Sequence, residues 1–340
     1  MSHRTRITSW AIASALAWTA TAAEPAGSSS PTSSASSSSP AQPPVRTDGA
    51  DTTAKSEKPA PLPLHQIEGN GGIFSTLSAY IVNPPRNGEC VGRPSVGFTF
   101  VDLDHGQNLE ALTLTESPHA RVELGYAWNN MDLGDLPLAI KKATTVSISQ
   151  QEVQMHNVNA RLQLLKEGEF DQKWIPALTV GAHYKYNNGI SRISSDLGGA
   201  LAGAGIRGRD GEDYTLYASK MFTQLPRPVL LEVGGRATKG VWNGLGGFSE
   251  HYSYLFEGNA VVFVTSSIVL AAEYKQMPND YKPIAGPGGP LVGKSGDWWT
   301  LDAGYVVNEH LTVAAGYGHF GGVLNHQANG VWGITTKWEF

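Results

Sequence analysis

Gly330-Val331-Trp332-Gly333-Ile334-Thr335-Thr336-Lys337-Trp338-Glu339-Phe340 closes the 340-residue chain. Trp332, Ile334, Thr336, Trp338 and Phe340 fall on one side of a period-2 pattern. Val331, Gly333, Thr335, Lys337 and Glu339 fall on the other. Such alternation is that of a half-buried β-strand, because successive side chains of a strand point to opposite faces. About ten residues is also the length that crosses a bilayer as a tilted strand.

The same alternation recurs upstream. Ala120, Val122, Leu124, Tyr126 and Trp128 oppose Arg121, Glu123, Gly125 and Ala127. Val158, Ala160, Leu162 and Leu164 oppose Asn159, Arg161 and Gln163. Leu178, Val180, Ala182, Tyr184 and Tyr186 oppose Thr179, Gly181, His183 and Lys185. Further segments lie at 94–103, 109–116, 214–224, 229–238, 251–264, 268–276, 299–307 and 311–317. The pattern predicts an all-β chain, a transmembrane antiparallel up-and-down β-barrel of about twelve strands. The count rises to fourteen if Leu62–Glu68 and Phe74–Val82 also cross.

Composition agrees. Charged residues are 16% of the chain, with 39 Gly, 12 Tyr and 9 Trp. A mean hydropathy of -0.22 is too polar for a helical membrane protein but suits a barrel, whose strands alternate apolar and polar faces. After the N-terminal segment no apolar run is long enough for a membrane helix. The net charge of -5 carries no basic excess and argues against nucleic acid as a partner. Cys90 is the single cysteine and has no intramolecular disulfide partner.

Residues 1–23 read as a signal peptide: Arg4 and Arg6, a short apolar stretch, then Ala20-Thr21-Ala22. Residues 24–61 are rich in Ser, Pro, Ala and Thr and predict a disordered linker. The barrel is assigned to 62–340. Short connections at 117–118, 225–226, 265–266 and 308–309 alternate with long ones at 130–152, 188–213, 239–250, 277–297 and 320–329. Short turns on the periplasmic side and long loops outside are the asymmetry of outer-membrane barrels. Tyr126, Trp128, Tyr184, Tyr186, Tyr252, Tyr254, Tyr274, Trp298, Trp299, Tyr317 and Trp332 then gather at the outer ends, as an interfacial girdle.

The terminal strand resembles the C-terminal signal of Gram-negative outer-membrane barrels. Trp332, Ile334, Trp338 and Phe340 carry that likeness, which implies outer-membrane lipid and the barrel-assembly machinery as partners. The chain also resembles an uncharacterised proteobacterial family of outer-membrane barrels with a domain of unknown function. The resemblance spans roughly 65–340. It rests on Ile67-Glu68-Gly69 with Gly71-Gly72, Tyr214 to Lys220, Arg236-Ala237-Thr238-Lys239 and Glu273-Tyr274-Lys275-Gln276. It implies a cell outer-membrane location with the linker in the periplasm, and brings no substrate or catalytic residue.

Candidate chemistry is sparse. Gly203-Ala-Gly205-Ile-Arg-Gly208 and Gly316-Tyr-Gly318-His-Phe-Gly321 match a dinucleotide spacing but lack the strand-turn-helix setting that makes such glycines cradle a pyrophosphate. Asp102, Asp104 and His105, the 209–213 loop, and His319 with His326 lack a full metal-ligand set. No cofactor or metal is expected. Ser249-Glu250-His251 is the nearest approach to a hydrolase, yet adjacent strand residues face opposite ways. The polar strand face is the better site. It is expected to line the lumen with Arg121, Glu123, Arg161, His183, Lys185, Glu232, Arg236, Glu257, Glu273, Lys275, Asp302, Lys337 and Glu339. The leading expectation is a non-enzymatic, porin-like passive channel for small solutes of unknown identity. The alternative is a closed structural or surface-interaction barrel; an outer-membrane hydrolase is a third reading.

Overall fold

Alternating residues can satisfy both a lipid exterior and a polar interior only if every strand edge is paired, because unpaired backbone groups in hydrocarbon cost several kcal/mol each. The computed structural model, which describes residues 64–86, 88–286 and 289–340, meets that condition with a closed barrel. The expected signal peptide and linker, and residues 62–63 of the barrel assignment, lie outside the described residues. Twelve antiparallel strands follow in chain order. They are β1 Ser95–Asp102, β2 Gln107–His119, β3 Val122–Leu133, β4 Glu152–Leu165, β5 Ala177–Asn188 and β6 Asp210–Phe222. The others are β7 Val229–Gly240, β8 Phe248–Phe263, β9 Ile268–Lys275, β10 Trp298–Val306, β11 Leu311–His319 and β12 Val331–Glu339. The terminal strand closes the ring. Trp332 pairs with Asp102 and Glu339 with Ser95. A short extra strand, Ile206–Gly208, adds to the outer end of β8 at Phe248 and Ser249.

The exterior is apolar and open: Val158 is 57% exposed and Leu301 59%, while Lys185 and Lys275 inside are 0% exposed. That inversion of a soluble protein's burial is the mark of a membrane barrel. Trp332, Ile334, Trp338 and Phe340 all stand on the exposed outer face.

Two expectations are corrected. Residues 64–82 do not add strands thirteen and fourteen. They form a hairpin, Leu64–Gln66 with Asn70–Gly72, then turn back, all buried inside the ring apart from half-buried Tyr80. Neither stretch keeps a lipid-facing side, and their polar atoms pair with side chains of the barrel's inner wall. Trp298, expected in the girdle, faces inward at 3% exposure and stacks on Phe320 at 4.2 Å.

The long loops also fold inward. Helix α1, Leu136–Thr144, buries Leu136 and Ile140, and α2, Ile190–Asp196, buries Ile190 and Ile193. These pack with Met131, Val153, Leu201, Trp242, Leu245 and Leu324 into an apolar cap over the outer end. Trp242 donates its indole N–H to Gly322 O at 2.9 Å, which ties two loops together.

Candidate functional site

The lumen is the candidate site, and residues 64–83 fill it as a plug. The plug tip is a turn at Gly69, whose φ of +81° favours glycine. A Cβ there would stand 2.5 Å from Tyr126 O, and a Cβ on the facing Gly125 would stand 2.0 Å from Gly69 O. Two glycines thus let the tip touch the wall of β3. Asn157 and Asn159 each donate to Glu68 O at 2.9 Å, and Asn129 donates to Ile67 O at 2.8 Å. These β3 and β4 side chains replace the ladder partners that the plug backbone lacks.

Charge fixes the plug. Glu68 accepts from Lys185, from Arg236 Nη2 at 2.7 Å and lies 3.8 Å from Lys275. Arg236 also pairs with Asp213 at 2.9 Å and Glu257 at 2.6 Å. Lys185 reaches Asp213 at 2.6 Å, and Lys275 reaches Glu257 at 3.5 Å. The wall therefore brings three cations and two carboxylates to this level, and Glu68 of the plug supplies the third carboxylate. Tyr217 donates to Glu257 and Thr238 to Asp213, so lone pairs are met as well. All four stretches that carry the family resemblance, at Glu68, Tyr217, Arg236 and Lys275, meet here.

Two more carboxylates grip the plug backbone. Glu123 is bound by Arg161 through both nitrogens, at 2.9 and 2.7 Å, and accepts the N–H groups of Gly71 at 3.2 Å and Val82 at 2.8 Å. Arg161 also donates to the carbonyls of Ser78 and Tyr80. Glu273 accepts the N–H groups of Phe74, Ser75 and Thr76 at 3.1, 3.0 and 2.7 Å, with Thr300 and Thr76 hydroxyls beside them. Successive N–H groups converging on one anion form a nest. His65 bridges Thr113 and Ser95 at 2.8 and 2.7 Å.

Among the residues expected to line the lumen, Glu123, Arg161, His183, Lys185, Glu232, Arg236, Glu257, Glu273, Lys275, Asp302, Lys337 and Glu339 all lie buried on the interior side. Lys337 pairs with Glu339 at 2.5 Å. Arg121 is a correction: it sits in the turn before β3, half-buried, donating to Leu164 O at 2.8 Å and pairing with Glu169. β3 begins one residue after Arg121, so the strand's phase does not reach it. That hydrogen bond from Arg121 holds the Glu169 carboxyl below its ordinary value. Asp213, read as loop, belongs to β6 and faces inward. Its parity with Thr215 and Ser219 was the available signal. Glu68 was read as part of a weak strand; its single charge among glycines was the clue. Ser249 donates its hydroxyl to the His251 carbonyl and Glu250 pairs with Arg207 at the surface, so that run does not assemble a nucleophile and base.

A family model matches residues 63–335, a span that covers the plug and nearly the whole barrel. The chain belongs to that family, described as a protein of unknown function (DUF3034). No curated protein matches the chain in sequence. Comparison with solved structures gives distant likenesses. The outer membrane protein Omp33 of Acinetobacter baumannii is 10% identical, with a TM-score of 0.40 over 74% of this chain and 99% of that one. The NanC porin is 11% identical, with a TM-score of 0.42 over 73% and 100%. The Escherichia coli outer membrane phospholipase A is 10% identical, with a TM-score of 0.32 over 73% and 93%. At such identities and TM-scores, what those proteins carry or cleave does not transfer to this chain.

Proposed function

We propose that this family member is a plugged, porin-like barrel of the outer membrane: a route for small solutes that opens when residues 64–83 leave the lumen. One observation carries the reading. The wall keeps Lys185, Arg236, Lys275, Asp213 and Glu257 around a plug that contributes only Glu68. A lumen that served packing alone is filled as well by apolar residues, since a buried ion network gains little over them. A charged wall, by contrast, is what water and solutes meet when the plug departs. The wall then holds one cation in excess at that level, which favours anionic solutes.

The test is conductance of the full chain in planar bilayers, with Cys90 changed to Ser and a disulfide lock placed at His65→Cys and Thr113→Cys. The expected result is conductance that the oxidised lock abolishes and reduction restores. Conductance indifferent to the lock, or a folded barrel silent in both states, overturns the channel reading. The second result favours the closed structural or surface-interaction barrel, which the apolar cap over the outer end supports. In either case we read the protein as non-catalytic, and its terminal strand, with Trp332, Ile334, Trp338 and Phe340 outward, as the segment that the assembly machinery engages.

A further inference from the structure

Across β7 to β11 the polar character of the lumen stops before the periplasmic end. Cross-strand register places Leu230, Val261, Ala271, Asp302 and Gly316 in one row across β7 to β11. Phe263, Val269, Gly304 and Ala314 form the next. All face inward, and Asp302 is the only charge in either row. The row above contains Glu232, Asn259, Glu273 and Thr300. Between these rows and the returning plug lies a cavity of about 440 Å³. Ile73, Tyr80 and Ile81 of the plug close one side. Glu167, in the turn after β4, and Pro84, where the plug leaves the barrel, place its mouth at the short-turn end. The volume falls within the range of roughly 300–1,000 Å³ that small-molecule sites occupy, and the lining is apolar with a few convergent polar groups, as such sites are.

Two of those groups are incompletely satisfied. Glu232 is 1% exposed; its Oε1 accepts from Ser78 at 2.5 Å and Ser219 at 2.7 Å, and its Oε2 has no partner among the described residues. Asp302 is 7% exposed; its Oδ2 accepts from Thr300 at 2.8 Å, and its Oδ1 has no partner among the described residues. Both carboxyl groups line the cavity. The lumen cations are already taken: Arg161 by Glu123, and Lys185, Arg236 and Lys275 by Glu68, Asp213 and Glu257. A buried carboxyl oxygen without a donor is costly, whereas a charge-assisted hydrogen bond there is about twice as strong as a neutral one.

We propose that this cavity is a binding site for a small amphipathic amine, entering from the periplasm, its ammonium on the open oxygen of Glu232 or of Asp302 and its apolar body among Leu230, Val261, Ala271 and Ala314. The site exists only with the plug seated, so the proposal rests on the plug and not on conduction. Such a ligand would hold the plug in place.

The test uses the full chain in detergent and isothermal calorimetry with three probes: 2-phenylethylamine, the neutral 2-phenylethanol and the anionic 3-phenylpropanoate. The expected result is saturable binding of the amine, about tenfold tighter than either comparator, as a charged hydrogen bond in a buried site gives. The double substitution E232Q/D302N removes that preference, and Ala271→Leu, which fills the cavity, weakens the amine by a similar factor. An amine preference below about threefold on the unmodified chain overturns the proposal, whatever the variants do. So does an amine affinity that a folded E232Q/D302N variant leaves within about threefold of the parent. A failed channel reading would leave these results unchanged, so the two failures are distinguishable.

Discussion

The plug inside the ring and the loop cap at one end of it are held by different balances of polar and apolar contacts. The plug is held by Glu68, Glu123 and Glu273 through ion pairs and backbone hydrogen bonds. The cap is held by packing of Leu136, Ile140, Ile193, Trp242, Trp298 and Phe320, with neutral hydrogen bonds such as those from Asn187 to the Gly244 and Leu245 carbonyls between its loops. Water can replace a carboxylate's partners one for one as a segment withdraws. It cannot replace apolar packing without the full transfer cost of about 25 cal/mol per Å² exposed. On the proposed reading the plug is the element that withdraws and the cap the element that stays.

The comparison can be broken where the forces are largest. Arg236→Ala leaves Glu68, Asp213 and Glu257 to share Lys185 and Lys275, and removing one member of a buried ion network costs about 3–5 kcal/mol. Denaturant unfolding in detergent should show a loss of that size, together with raised conductance. If stability falls and conductance does not rise, the plug is structural. Trp298→Ala deletes a buried ring stacked on Phe320 and should destabilise by about 3 kcal/mol on the same assay. Here conductance should stay at the parental level. A Trp298→Ala barrel leakier than the Arg236→Ala barrel would make the cap the gate.

A smaller effect is expected at the plug tip. Gly125→Val places a side chain where Gly69 O now lies, and overpacking of this kind costs about 1–3 kcal/mol. Its signature is selective: proteolysis in the 64–83 segment should speed up while the strands remain protected. Equal protection in parent and variant would show that the tip contact does not seat the plug. The smallest effect concerns Arg121, whose pair with Glu169 is open to solvent at the barrel rim. Surface pairs contribute little. Arg121→Ala should leave the unfolding midpoint unchanged, and a clear shift would show that the rim turn is coupled to the plug.

The legibility of the chain divides along the same line. Strand number and phase were readable because each strand carries its own period-2 record. Val158, Leu162 and Leu164 against Asn159, Arg161 and Gln163 need no knowledge of any neighbour. Twelve segments were found that way, and the inward placement of Glu123, Arg161, Lys185 and Arg236 follows from parity alone. Failures arose where no period exists. Arg121 lies past the strand's end, Asp213 looked like part of a charged loop, and residues 64–82 alternate weakly because they are surrounded on all sides.

By itself the sequence determined the barrel, its strand phase and the charged character of its interior, since a lipid exterior forces alternation residue by residue. Tertiary structure alone decided what fills that interior. Glu68 meets Arg236 across 168 positions of chain, and Glu273 meets Thr76 across 197. No local pattern specifies such pairings, because they depend on where a closed ring brings distant side chains together. The apolar rows near the periplasmic end were equally hidden. Leu230, Val261 and Ala271 are unremarkable in each strand, and only their register across neighbouring strands makes them a cavity.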